Sequence, residues 1–328
     1  MGRKENRYMV FDCETATMPF ANEIANGDSE KKKKIAIARP LIYDLGWTIT
    51  NRKGEILDKK QYLVAETFSV PSVFNTAYYA EKRPLYIEML ENDEITVLPW
   101  NDIMEIFSED LQQVNAVGAY NSMFDFKKAI PFTELYIKKL YSADYYNWEK
   151  SQKILCTAIA NERYQKNPDK EFDADNFTFR NENYPLFDLW GLSTSNLLNN
   201  VTYKKQCLKN NMLTASGTYF KTSAEASYRY LKDKYDFDEA HTALEDAIIE
   251  TYILGQIAKR SAIEIGIISF PFKELGTTNE FVLRRKNPDH EELEIVIEAM
   301  ERGLEGRTPS SYTSRIQNMI SELEKYLA

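Results

Sequence analysis

At 328 residues the chain exceeds the roughly 150 residues usual for one domain, so two units, or one domain with large insertions, are expected. An apolar share of 43% and a charged share of 28% exclude a disordered chain, and a net charge of −9 excludes a polybasic protein held to nucleic acid by bulk charge. Cys13, Cys156 and Cys207 lie far apart, which excludes a zinc ribbon or a disulfide scaffold and suits a reducing compartment. The opening run lacks the apolar core of a secretory leader, and the longest apolar stretch, near 263–272, is too short to span a bilayer; no membrane association and a cytoplasmic location are expected.

Residues 7–12 read as a strand. Residues 41–50 and 55–64 follow, split by the turn Asn51-Arg52-Lys53-Gly54, and the three make a meander. The segment 17–40, with Lys31, Lys32, Lys33 and Lys34, reads as a long basic loop. Helical spacing covers 73–92 and 101–113, a short strand 114–120, and Ser122 opens a helix. Residues 154–160 form a strand or helix start, and 165–185 are polar, Asn-rich and loop-like. Capping boxes begin helices at Thr222 (with Glu225) and Thr242 (with Glu245). Beyond 288, one apolar stripe holds Leu293, Val296, Ile297, Met300 and Leu304, and a second holds Tyr312, Ile316, Ile320, Leu323 and Leu327. This alternation argues for an α/β domain around one mixed sheet, carrying a C-terminal helical appendage that packs on it or, less expectedly, binds a partner polymerase or a second copy.

Three constellations carry chemistry. Asp12 and Glu14 form a D-x-E pair at a buried strand end; the spacing occurs four times in the chain, but the other three pairs lie in polar stretches. Like charges at a buried position are costly without a counter-charge. Asn121 and Asp125 form the only N-x-x-x-D in the chain, opening a helix where Asn also serves as a cap. His241 precedes a helix start and Asp246 falls in its first turn; the other histidine, His290, reads as a surface residue. Four converging carboxylates need cations, and oxygen ligands suit Mg²⁺ or Mn²⁺.

D-x-E-T at Asp12 to Thr15, N-x-x-F-D at Asn121 to Asp125 and H-x₄-D at His241 to Asp246 resemble the three motifs of the DEDDh 3′→5′ exonucleases, the superfamily of proofreading epsilon-type subunits, RNase T and oligoribonuclease. The stretch 184–235 also looks like phage- or prophage-encoded members. The resemblance implies an RNase H-like fold: a five-stranded mixed sheet flanked by helices. It implies two divalent cations, Mg²⁺ or Mn²⁺, on Asp12, Glu14, Asp125 and Asp246, with Asp12 bridging both. It implies His241 as general base outside the metal shell, and Thr15, Asn121 and Phe124 as substrate contacts. The exonuclease domain then covers 1–262, with insertions near 17–40, 66–113 and 163–220, and 263–328 is an extension.

The activity implied is release of 5′-mononucleotides from single-stranded DNA, in phage replication or repair. An exoribonuclease acting on short RNA or RNA 3′ ends is the near alternative, and a non-catalytic scaffold for a polymerase the distant one. The lysine run at 31–34 and the pairs Lys127-Lys128, Lys204-Lys205 and Arg284-Arg285 are candidate phosphate contacts; Tyr78, Tyr79, Tyr228 and Tyr230 are candidates for base stacking.

Overall fold

Strand β1 (Arg7–Ala16) buries Met9, Val10 and Phe11 completely, which places it at the centre of a sheet rather than on a surface. The computed structural model describes residues 6–17, 27, 40–141, 174–267, 272–284 and 288–327. The loop at 17–40, including its four lysines, and the segment 154–160 with Cys156 lie almost wholly outside the described residues.

The remaining strands are β2 (Leu41–Asn51), β3 (Ile56–Val64), β4 (Thr96–Leu98), β5 (Ala116–Ala119), β6 (Asn176–Phe179) and β7 (Glu182–Asp188). They form one seven-stranded mixed sheet in the order β4-β3-β2-β1-β5-β7-β6. β2 runs antiparallel to β1 and β3, β6 runs antiparallel to β7, and the other pairings are parallel. The expected meander is present. The expected count of five is corrected to seven by a short strand at each edge. β4 has only three residues, too few to show alternation. β6 hides in an Asn-rich run read as loop, yet Phe177 and Phe179 alternate into the core.

The longer helices are α1 (Arg83–Glu91), α2 (Trp100–Leu111), α3 (Ile130–Tyr141), α4 (Leu189–Leu198), α5 (Val201–Lys209), α6 (Ala224–Lys232), α7 (Ala243–Ala258), α8 (Thr278–Leu283), α9 (His290–Leu304) and α10 (Ser311–Glu324). All eleven residues of β2 are buried, because helices cover both faces of the sheet. Trp47 packs edge-on to Phe107 of α2, with its indole N–H donating to Asp110 Oδ2 at 2.8 Å. Its neighbour Gly46 faces the opposite layer. A Cβ there would lie 2.5 Å from the Leu244 backbone nitrogen, so only glycine lets the start of α7 approach β2 this closely.

The chain divides into two compact units, Met1–Leu189 with Glu239–Ile267, and Trp190–Asp238 with Ile268–Ala328. This differs from the division expected at residue 262: the stretch 190–238 joins the C-terminal segment. The second unit has its own apolar core, in which Leu197, Tyr203, Cys207 and Phe220 pack with Leu293, Val296, Met300, Ile316 and Leu323. The stripes of α9 and α10 are thus consumed inside this unit. Ser223, not Thr222, caps α6, accepting from Ala226 N at 3.3 Å. Among the described residues no helix is long and apolar enough to cross a membrane.

Candidate functional site

The parallel pair β1 and β5 brings two chain segments to one edge of the first unit. β1 carries Asp12 and Glu14 near its C-terminal end. After β5, Asn121 caps a short turn, Ser122–Phe124, accepting from Phe124 N at 3.3 Å. A single π-helical turn, Asp125–Ala129, follows. Such turns are rare and recur at functional sites. Here it begins with Asp125, which is only 3% exposed and accepts from the Cys13 thiol at 3.2 Å. Ser122 Oγ donates to Phe187 O at 2.7 Å, tying the turn to β7.

Helix α7 supplies the third segment. The expected capping box at Thr242 is absent: Thr242 makes no side-chain cap bond and instead donates to Glu245 Oε2 at 2.9 Å. Asp44 of β2 takes over, accepting from Ala243 N at 3.0 Å, from Tyr86 OH at 2.8 Å and from Gln61 Nε2 at 3.0 Å. Asp44 is completely buried, so these bonds fix α7 against the sheet and set where Asp246 stands.

The carboxylates act on one another strongly. Burial and the Glu250, Asp125 and Asp246 carboxylates push Asp12 well above the usual carboxylate range. Burial, with Asp246 next, pushes Glu14 up to about 9. Burial pushes Asp125 up to about 7, against the Cys13 hydrogen bond. Burial and Glu239 push Asp246 up to about 8, partly opposed by Lys82. Asp246 Oδ1 is buried with no hydrogen-bond partner. A buried oxygen left bare at the meeting point of like charges is the condition a cation relieves.

Glu14, His241 and Asp246 each offer a ligand atom within 4.8 Å of one another. Asp12 and Asp125 fall outside that group. His241, expected beyond the metal shell, stands close enough to be a ligand. Its Nδ1 lies 3.7 Å from Glu239 Oε2 and 3.9 Å from Asp246 Oδ2.

His241 adopts a left-handed backbone with φ of 53°. A non-glycine residue holds such a conformation only when its surroundings enforce it. Two groups from the segment before α1 do so. The Tyr79 ring stacks on the imidazole with centroids 4.6 Å apart and planes 15° apart. The Lys82 ammonium donates to the carbonyl of Ala240 and lies 4.7 Å from the Tyr79 ring centre. Tyr79 reads in the sequence as a candidate for base stacking; its ring stacks on His241, a pairing that nothing in the sequence signals.

Glu250 was also missed. It is 2% exposed, acts on Asp12, and accepts from Tyr120 N at 3.1 Å. It lies four residues after Asp246, so helical spacing alone carried its signal. Thr15 and Phe124 are half-buried, and Asn121 is exposed. Tyr78 is 83% exposed, whereas Tyr230 packs against Tyr203 in the second unit. Lys127 donates to Asn176 O. Lys204 is buried rather than part of a solvated surface cluster.

No family model matches the chain, and neither a curated protein nor a solved structure matches it.

Proposed function

We propose that the chain is a two-metal-dependent 3′→5′ exonuclease with an RNase H-like catalytic unit, hydrolysing single-stranded DNA ends to 5′-mononucleotides. One observation carries the reading. Asp12 and Glu14, Asp125, and Asp246 come together from three distant stretches of chain, with Asp246 Oδ1 buried and unpartnered. The inner five strands, with β2 alone antiparallel, fit the mixed five-stranded sheet the motif resemblance implies.

The donor set fits hard divalent cations, since its proposed ligands are carboxylate oxygens and the nearby Cys13 is held as a thiol donating to Asp125. Asp12, Glu14, Asp125 and Asp246 would hold Mg²⁺ or Mn²⁺, which would supply an acidified water and neutralise phosphate charge. His241 accepts the proton of the attacking water, and the Glu239 and Asp246 carboxylates facing Nδ1 stabilise the imidazolium. Tyr79 and Lys82 hold that imidazole in place. Glu250 keeps Tyr120 and the turn after β5 in register with α7. Thr15, Asn121 and Phe124 contact the terminal nucleotide.

End-labelled single-stranded DNA, duplex DNA and RNA, compared with Mg²⁺, Mn²⁺ and EDTA, test the reading. Metal-dependent mononucleotide release, fastest on single-stranded DNA, is expected. Preference for RNA would make the protein an exoribonuclease. Absence of turnover on every substrate would favour a scaffold.

A further inference from the structure

The second unit contains a cavity of about 250 Å³ that the nuclease reading does not use. One wall is apolar, formed by Val201, Leu275 and Phe281, and Asn199 offers an amide. The other wall carries two cations, Lys204 of α5 and Arg284 at the end of α8. Val201 and Lys204 are three apart on one helix, so one face of α5 presents both an apolar and a charged group to the same space.

Lys204 is unusual for a lysine, being only 5% exposed. Its ammonium lies 5.5 Å from the Phe281 ring centre and 5.9 Å from that of Phe220. It makes no ion pair or side-chain hydrogen bond with any described residue. Two ring faces offset part of its desolvation but supply no counter-charge. Arg284 adds a second positive charge, and burial and Arg284 together lower the Lys204 pKa against a single opposing carboxylate, Glu280. A lysine this little exposed, lining the same cavity as a guanidinium, gives that cavity a positive wall suited to an anion. The planar fork of arginine with a point-charge lysine suits a doubly charged oxyanion.

We propose that this cavity binds a phosphate group, with Lys204 and Arg284 holding its oxygens and the Phe281 wall receiving the body that carries it. The inference stands on the second unit alone and does not depend on the acidic cluster being a nuclease site.

Calorimetric titration of the full chain in EDTA tests it, with thymidine 5′-monophosphate, inorganic phosphate and thymidine as probes. EDTA keeps cations, and any product they would bridge, out of the acidic cluster. Saturable binding of the monophosphate is expected, weakened roughly tenfold or more by Lys204→Met and by Arg284→Gln, as loss of a charge-assisted hydrogen bond requires. Asp246→Asn should leave it unchanged, and thymidine should not bind. Inorganic phosphate identifies the source: equal affinity points to free phosphate, weaker affinity to a nucleotide. Arg284 is exposed, so its variant keeps the test valid even where Lys204→Met misfolds. Binding insensitive to both variants, binding lost in Asp246→Asn, equal binding of thymidine, or no binding of either phosphate would overturn the proposal.

Discussion

At the scale of single residues, protonation links the cluster to stability. In the unfolded chain these carboxyls titrate near 3.8 and 4.5, whereas the folded protein holds Asp44 protonated up to about 6, Asp125 to about 7, Asp246 to about 8 and Glu14 to about 9. The folded state therefore binds more protons across that window, so the metal-free protein should lose stability as pH rises from about 4 to about 9. Urea midpoints in EDTA from acid to alkaline pH check the slope, and saturating Mn²⁺ should flatten it. A midpoint that climbs with pH in EDTA would contradict the burial of these groups.

Asp12 tests the chemistry at the same scale. Asp12→Ala removes a group that burial and four carboxylates already force upward, so the metal-free melting temperature should hold or rise. Nuclease turnover should vanish. His241→Ala should lower kcat by roughly 10²–10⁴, the usual share of a general base. Tyr79→Ala removes the stacked ring that holds the imidazole, so kcat should fall with KM nearly constant, and Tyr79→Phe should restore it. Full activity in Tyr79→Ala would leave the stack without a role in the reaction.

At the scale of elements, α7 shows what holds the helix that carries Asp246. Its start is fixed by Asp44 rather than by its own cap. Asp44→Ala should cost at least ~2 kcal/mol, since it strands Tyr86 OH and Ala243 N–H inside the core. Thr242→Ala should cost under ~1 kcal/mol, because no cap bond is lost. Gly46→Ala forces a methyl against the Leu244 backbone and should destabilise by about 1–3 kcal/mol while shifting Asp246 enough to slow turnover. Thermal melts with parallel kinetics separate the three.

The same helix shows where the sequence was readable. Its extent, and those of β2 and β3, follow from local apolar patterning and turn residues, which the sequence displays directly, whereas β1 runs four residues past the expected end at 12, through Glu14 to Ala16. The capping role of Asp44 was hidden because its partners lie far along the chain. β6 was hidden because polar neighbours masked two phenylalanines. The motif residues Asp12, Glu14, Asp125, His241 and Asp246 were readable by type and spacing. Glu250, Tyr79 and Lys82 were not, since their meaning arises only when the sheet and the segment before α1 meet.

At the scale of the molecule, the second unit is built from two stretches of chain separated by α7. A truncation after residue 262 leaves Leu197, Tyr203, Cys207 and Phe220 without Leu293, Val296, Met300 and Ile316, their partners in the same core. Such a fragment should aggregate or bind a hydrophobic dye. Removal of both stretches, with a short linker from Leu189 to Glu239, should give a soluble first unit that keeps the acidic cluster. Far- and near-ultraviolet circular dichroism on the two fragments distinguishes these outcomes. A native-like spectrum for the simple truncation would mean that 190–238 does not depend on the C-terminal helices.

The interruption of the first unit between β7 and α7 also orders events on the ribosome. Domains assemble from the N-terminus as synthesis proceeds. β1, β2 and β3 emerge first, carrying Asp12 and Glu14, and the turn with Asp125 follows. Asp246, Glu250 and His241 arrive only after half of the second unit has been made. Until α7 is made, the nascent chain holds only Asp12, Glu14 and Asp125 of the cluster, without the added repulsion of Asp246 and Glu250. The step that crowds the carboxylates together comes when α7 docks on Gly46, after 190–238 of the second unit. On the exonuclease reading, a chain made in this order gains its metal site only once α7 has been synthesised.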